Sequence, residues 1–235
     1  MPAFFNSISV GEPDEDGDIR VEGDLAIANE ASMPVYQVQY KLLYLGADAA
    51  CLYEEDSYED TFIAPGDSTT ISTYNSINQR DVSETAIELR AIGALCRRDF
   101  VNLGEITMPA PGESVRLSTK IDFDWHAGPL TLLFSRTEPD SDGDFSLEFK
   151  CLVDNKTDQQ LKVILKAQMI DSEGAEIETS DTEEDVRGGS AKLLSGSFWR
   201  PKAGQLEGGK ALFALKALMP IDTFDVREAV ELSDF

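Results

Sequence analysis

Residues 12–18 read EPDEDGD and residues 138–144 read EPDSDGD, six identities in seven positions at an offset of 126. A turn that recurs at one fixed spacing constrains the chain to repeat whatever surrounds it. The same offset lays ISVGEPDEDGDIRVEGDLAIAN on FSRTEPDSDGDFSLEFKCLVDN, with Ser9 on Ser135 and Asn29 on Asn155. Farther on, AIELRAI falls on LFALKAL, with Leu89 on Leu215 and Ala91 on Ala217. One offset at both ends of a span of roughly 90 residues predicts two copies of one domain, 1–117 and 118–235. The boundary is expected between Pro109 and Lys120, where MPAPGESVRLSTK carries two prolines and a glycine.

Periodicity predicts what each copy is. Ile19, Val21, Gly23, Leu25 and Ile27 alternate with more polar residues, and Phe145, Leu147, Phe149, Cys151 and Val153 do the same in the second copy. Period two over nine residues is a strand with one buried face. Cys151 stands where Leu25 stands, so it reads as a buried hydrophobe rather than a reactive thiol. A second strand is expected on Tyr36, Val38, Tyr40, Leu42 and Tyr44, and on Leu161, Val163, Leu165, Ala167 and Met169. A late strand carries Ile87, Leu89 and Ala91, or Phe213, Leu215, Ala217 and Met219. LEGGKALFALKALM has a helical composition, but its alignment with AIELRAI favours a strand. INQRDVSETAIEL admits one helical turn. APGDS and VRGGS are turns, each followed by a short strand.

Short strands at turn-punctuated intervals, in units of just over 100 residues, predict an all-β fold of two tandem antiparallel β-sandwich domains related by an internal repeat. The alternation and domain size resemble immunoglobulin- and fibronectin-type sandwiches. The Cys…Trp…Cys pattern of antibody domains is absent.

The acidic turn has two readings. Asp-Gly between alternating runs is a hairpin signal, because glycine takes positive φ without penalty. The entering strand reads Phe4, Asn6, Ile8 and Val10 in one copy and Leu130, Leu132 and Phe134 in the other. The alternative is a weak calcium site using Asp14, Asp16 and Asp18, with Asp140, Asp142 and Asp144 in the second copy. Hard oxygen ligands at alternate positions suit that ion. The match to an EF-hand loop is partial: Gly17 comes fourth from Asp14, not sixth, and position twelve is Leu25 rather than Glu.

Charge narrows the partners. The 44 Asp and Glu against 20 Lys and Arg give a net −24. That opposes nucleic acid, whose binding rests on neutralised phosphates, and opposes anionic membranes. A basic protein partner and cations remain. CLYEEDSYED, residues 51–60, is read as a solvated loop or a docking surface, with Tyr53, Glu54, Glu55 and Tyr58 as the contacts. The single histidine, His126, would share a face with Asp122 and Asp124 if that segment were extended, an arrangement open to a transition metal. No G-x-S-x-G elbow or phosphate loop occurs. The cysteines, Cys51, Cys96 and Cys151, lack metal-binding spacing. The start lacks the pattern of a signal peptide, and a cytoplasmic location is expected. The chain reads as a non-enzymatic, protein-binding or adaptor module without a cofactor; the alternative is a ligand- or calcium-binding protein.

Overall fold

The computed structural model describes residues 2–46, 49–78, 86–199 and 206–231. The helical turn expected within 77–89 falls largely on residues 79–85, outside the described residues. The fold is all-β. Its strands are β1 (Ala3–Val10), β2 (Asp18–Ala28), β3 (Val35–Leu45), β4 (Cys51–Ile63), β5 (Ser68–Asn78), β6 (Ala86–Thr107) and β7 (Ser114–Thr119). They continue with β8 (Leu130–Arg136), β9 (Leu147–Asp154), β10 (Leu161–Ile170), β11 (Glu176–Val186), β12 (Ala191–Phe198) and β13 (Lys210–Glu231). They form three sheets, in the orders β1-β2-β5, β12-β9-β8-β7 and β11-β10-β13-β6-β3-β4. No helix of the described residues is long and apolar enough to cross a membrane.

The backbone divides into two compact units. Unit 1 holds Met1–Arg97 with Pro220–Phe235, and unit 2 holds Arg98–Met219. The expected boundary at 117/118 and the limits of the compact units fall at different places. β6 and β13 are each 22 residues long, and a unit limit falls inside each. Residues 109–120, where the boundary is expected, form a turn closed by Glu113 N–H on the Ala110 carbonyl, followed by β7, which pairs with β8.

In unit 1, alternation buries Ile19, Val21, Leu25 and Ile27 of β2 against Val38, Leu42 and Tyr44 of β3 and Leu89 of β6. In unit 2, Leu147, Phe149, Cys151 and Val153 of β9 join all five alternating residues of β10 and Phe213, Leu215 and Ala217 of β13. Each such Leu or Phe contributes about 1.5–3 kcal/mol by leaving water. Unit 2 is centred on rings: Phe134 and Phe149 stand 5.3 and 5.7 Å from Phe213. Cys151 is fully buried, and none of the three cysteines is in a disulfide.

Two strands depart locally from the expected rows. The expected face Phe4, Asn6, Ile8, Val10 does not exist as a unit: Phe4 is 55% exposed, while Ala3 is buried and Phe5, Ile8 and Val10 pack on the core. The register shifts between Phe5 and Ser7, so Asn6 is the extra residue of a β-bulge, and one extra residue exchanges the faces. The register also shifts between Val35 and Gln37. The extra residue there lies on β4, and Tyr36, half-buried rather than in the buried row of Val38, Tyr40, Leu42 and Tyr44, meets Phe62 edge-on at 5.4 Å.

Candidate functional site

Residues 51–60 are not a loop. They belong to β4, which pairs with β3 from Val35↔Ile63 to Leu45↔Cys51 and is the terminal strand of its sheet. Its unpaired edge follows from its composition. Five carboxylates between Cys51 and Asp60 oppose burial, and charged residues are what sheet edges carry.

Register sorts the four candidate contacts onto two faces. Tyr44, Leu42 and Tyr40 point into the core of unit 1, and opposite them stand Tyr53, Glu55 and Ser57. Side chains directly opposite share a face, so Tyr53 and Glu55 face inward. Glu54 opposes Leu43, Asp56 opposes Lys41 and Tyr58 opposes Gln39, so these face outward. Lys41 Nζ reaches Glu54 at 3.6 Å and Asp56 at 3.4 Å, and its amine is held above the usual lysine range, chiefly by Asp56. The outward row is partly neutralised. Glu55 has no cationic partner among the described residues; its Oε2 accepts from Asn75 Nδ2 of β5 at 3.1 Å.

The inward row opens into a cavity of about 300 Å³ between β4 and β5. Tyr40, Tyr53, Glu55, Tyr74 and Asn75 are among its walls. Behind it Tyr44 is fully buried and 5.9 Å from Tyr53, and its hydroxyl has no hydrogen-bond partner among the described residues. Burial first, and then Glu55, raise the Tyr44 phenol well above its ordinary range. Tyrosine side chains beside a carboxylate that has no cationic partner among the described residues make a site suited to a cation. Sequence reasoning found Tyr53 and Glu55 by their acidic and aromatic surroundings. It missed Tyr40 and Tyr74, which come from other strands and converge only through register.

A neighbouring hollow of about 200 Å³ lies over β1, β2 and β5. There Ser7 and Ser72 donate to Asp24 at 2.9 and 2.8 Å, and these two bonds, Ser72 first, hold its carboxyl below the usual range. The Arg20 guanidinium stands 5.0 Å over the Tyr74 ring and pairs with Glu22 at 2.6 Å. In unit 2 a hollow of about 680 Å³ is lined by ion pairs, Lys162–Glu183 at 2.6 Å and Lys192–Glu184 at 3.0 Å.

The acidic turns are hydrogen-bonded loops. Asp14 Oδ1 accepts from the N–H groups of Asp16 and Asp18, both at 2.9 Å, and Gly17 has φ +82°. Asp140 Oδ1 accepts from Asp142 and Asp144 at the same distances, with Gly143 at φ +83°. A third loop, DSEGA at Asp171, shares this geometry: Asp171 Oδ1 accepts from Glu173 at 2.9 Å and Ala175 at 2.8 Å, with Gly174 at φ +87°. Alanine stands there where Asp18 and Asp144 stand, so the loop needs only its first aspartate and its glycine. No three His, Cys, Asp or Glu groups come together as a metal site among the described residues.

Residues 121–129 lie outside the strands. His126 N–H reaches back to the Phe123 carbonyl, and His126 Nδ1 accepts from Asp154 N–H at 3.2 Å. The extended face of Asp122, Asp124 and His126 is therefore not formed. Trp125 is buried beside them, its indole N–H on Asp99 Oδ2 at 2.9 Å.

No protein-family model matches the chain, and no curated protein does. Among solved structures, a protein from Archaeoglobus fulgidus is similar at 15% identity and a TM-score of 0.24, covering 39% of this chain and 81% of that one. Red sea bream transglutaminase is similar at 11% identity and a TM-score of 0.23; the match covers 97% of this chain and 31% of that one. The structure pT26-6p is similar at 10% identity and a TM-score of 0.25, covering 94% of this chain and 66% of that one. At these TM-scores the likenesses carry no argument about fold or function.

Proposed function

We propose that this is a non-enzymatic, acidic, tandem β-sandwich protein that binds a basic protein partner along the open edge of β4. The observation that carries it is the edge itself: a strand paired on one side only, with Tyr53, Glu54, Glu55 and Tyr58 along it. An open edge offers a ladder of N–H and C=O groups to an added strand. Like charge on β4 disfavours pairing with β4 of a second copy, so a basic strand is the complement. The net charge of −24 supports a protein rather than nucleic acid or an anionic membrane as partner. A reducing cytoplasm fits the three free thiols.

The finer architecture in this reading is two copies of one immunoglobulin-like sandwich, 1–117 and 118–235. Its support is the order of elements: β1 to β6 and β8 to β13 follow one another at offsets close to 126, as with Val35 and Leu161, which open β3 and β10. Both copies also place an acidic strand, β4 or β11, at the end of the sheet order.

The test is an extended lysine-rich peptide titrated onto the protein, followed by amide hydrogen exchange. Protection gained on β4, affinity falling with salt, and about tenfold weaker binding in Glu54→Lys are expected. Protection elsewhere, or equal affinity for an aspartate-rich peptide, would overturn the reading.

A further inference from the structure

Thr182 Oγ1 of β11 donates to the Ser195 carbonyl of β12 at 3.0 Å, and Glu178 accepts from Trp199 N–H at 2.8 Å. Along this seam of unit 2 the inward row of its acidic edge strand is occupied by its own neighbours. The corresponding seam of unit 1, between β4 and β5, has the Asn75–Glu55 bond and otherwise opens into the tyrosine-walled cavity. The two seams therefore differ in what is left for a ligand.

We propose that the cavity between β4 and β5, walled by Tyr40 and Tyr53 around Glu55, is a subsite for the cationic side chain of a lysine or arginine. This rests on the reading of β4 as a docking edge, since a residue of an added strand would lie beside Tyr53 and Glu55. The size fits: about 300 Å³ lies at the small end of ligand cavities and admits one long side chain. The chemistry fits as well. Ring faces attract a cation through their quadrupoles, and the alkyl stem of lysine or arginine packs on the same rings. Glu55 supplies the one negative charge, half-buried and without a cation of its own among the described residues. Lys41 is engaged on the opposite face of β4, and Arg20, over the Tyr74 ring, is paired with Glu22, so Tyr40 and Tyr53 are the rings that meet the guest. The buried Tyr44 hydroxyl behind the cavity, without a partner among the described residues, adds an uncharged dipole on the same side as Glu55.

The experiment titrates the intact protein with N-acetyl-lysine methylamide, N-acetyl-arginine methylamide and the neutral N-acetyl-norleucine methylamide. Tyrosine ring resonances are followed by NMR. Saturable shifts at Tyr53 and Tyr40 with the cationic compounds, and at least about tenfold weaker effects with norleucine, are expected. Glu55→Gln should lose the response about tenfold while its melting temperature is unchanged, and Asp56→Asn, on the other face, should keep it. Equal shifts with norleucine, or full cation binding in Glu55→Gln, would overturn the subsite. If the lysine-rich peptide protects β4 while the single amino acids leave the rings unmoved, the subsite falls and the docking edge stands. If the amino acids bind and the peptide does not protect β4, the subsite stands and the docking edge falls.

Discussion

The side-chain amide of Asn155 donates to the Val186 carbonyl across 3.0 Å inside unit 2. Asn155 is fully buried, its Nδ2 also donates to the Gln159 carbonyl at 2.7 Å, and its Oδ1 accepts from Thr157 N–H at 3.0 Å. Asn29 does the same work in unit 1, on the carbonyls of Ile63 and Met33, both at 2.9 Å, and on Ala31 N–H at 3.1 Å. Each asparagine ties the end of one strand to the end of another through groups that water does not reach. Asn155→Ala and Asn29→Ala should each cost about 1–3 kcal/mol, because truncation leaves buried carbonyls and an N–H unmet. Urea unfolding of each variant, compared at equal slope, measures this.

Gly93 faces a tight wall. A Cβ there would lie 2.4 Å from both the Gln39 carbonyl oxygen and Phe224 Cζ, within unit 1. Backbone cannot yield as a flexible side-chain tip can. Gly93→Ala should destabilise by about 1–3 kcal/mol through overpacking. Gly128→Ala meets open space and should show only the smaller cost of a non-glycine residue at φ +88°. Denaturant midpoints of the two variants should fall in that order.

Burial pushes the Cys151 thiol up to about 12, from an ordinary 9.0. In the unfolded chain the thiol loses its proton first, so the native state holds more protons between these values. Its contribution to stability is complete below about pH 9 and falls as pH rises toward 12. Cys151→Val, of similar size and unable to titrate, should flatten the onset of that decline. Stability measured from pH 8 to pH 10 checks the sign; a wild-type curve rising in that window would contradict it. In the native state Cys51 should react with an alkylating reagent first, since it is exposed while Cys96 and Cys151 are buried.

The strands that were legible in the sequence are those with one wet and one dry face. β2, β9 and β10 alternate because they are half-buried, and that is the pattern period two detects. The strand character of β4, expected as a solvated loop or a docking surface, escapes the pattern because an edge strand rich in carboxylates buries little on either side. Its strand character comes from pairing with β3, which composition does not record. The phase of β1 was lost at Asn6, since a bulge follows from the partner strand and not from local pattern. The candidate site was half legible for the same reason. Tyr53 and Glu55 lie in one conspicuous run, but Tyr40 and Tyr74 reach the cavity from β3 and β5.

We predict that neither acidic turn, Asp14–Asp18 or Asp140–Asp144, requires a divalent cation. Asp14 and Asp140 spend a carboxylate oxygen on two N–H groups of their own loop, and Asp171 does so in a loop with alanine at the last position. Geometry that survives loss of a carboxylate does not depend on an ion held by it. Thermal melting in millimolar calcium against chelator should show no shift. A native-state site filled at a hundred times its dissociation constant would add about 2.7 kcal/mol, a shift of several degrees. Asp14→Asn, which keeps an Oδ1 acceptor, should leave stability nearly unchanged. Asp14→Ala should cost about 1 kcal/mol, the net value of an ordinary hydrogen bond at an exposed site. A calcium-dependent rise in melting temperature that Asp16→Ala or Asp142→Ala abolishes would show instead that the carboxylates beyond the first serve a metal.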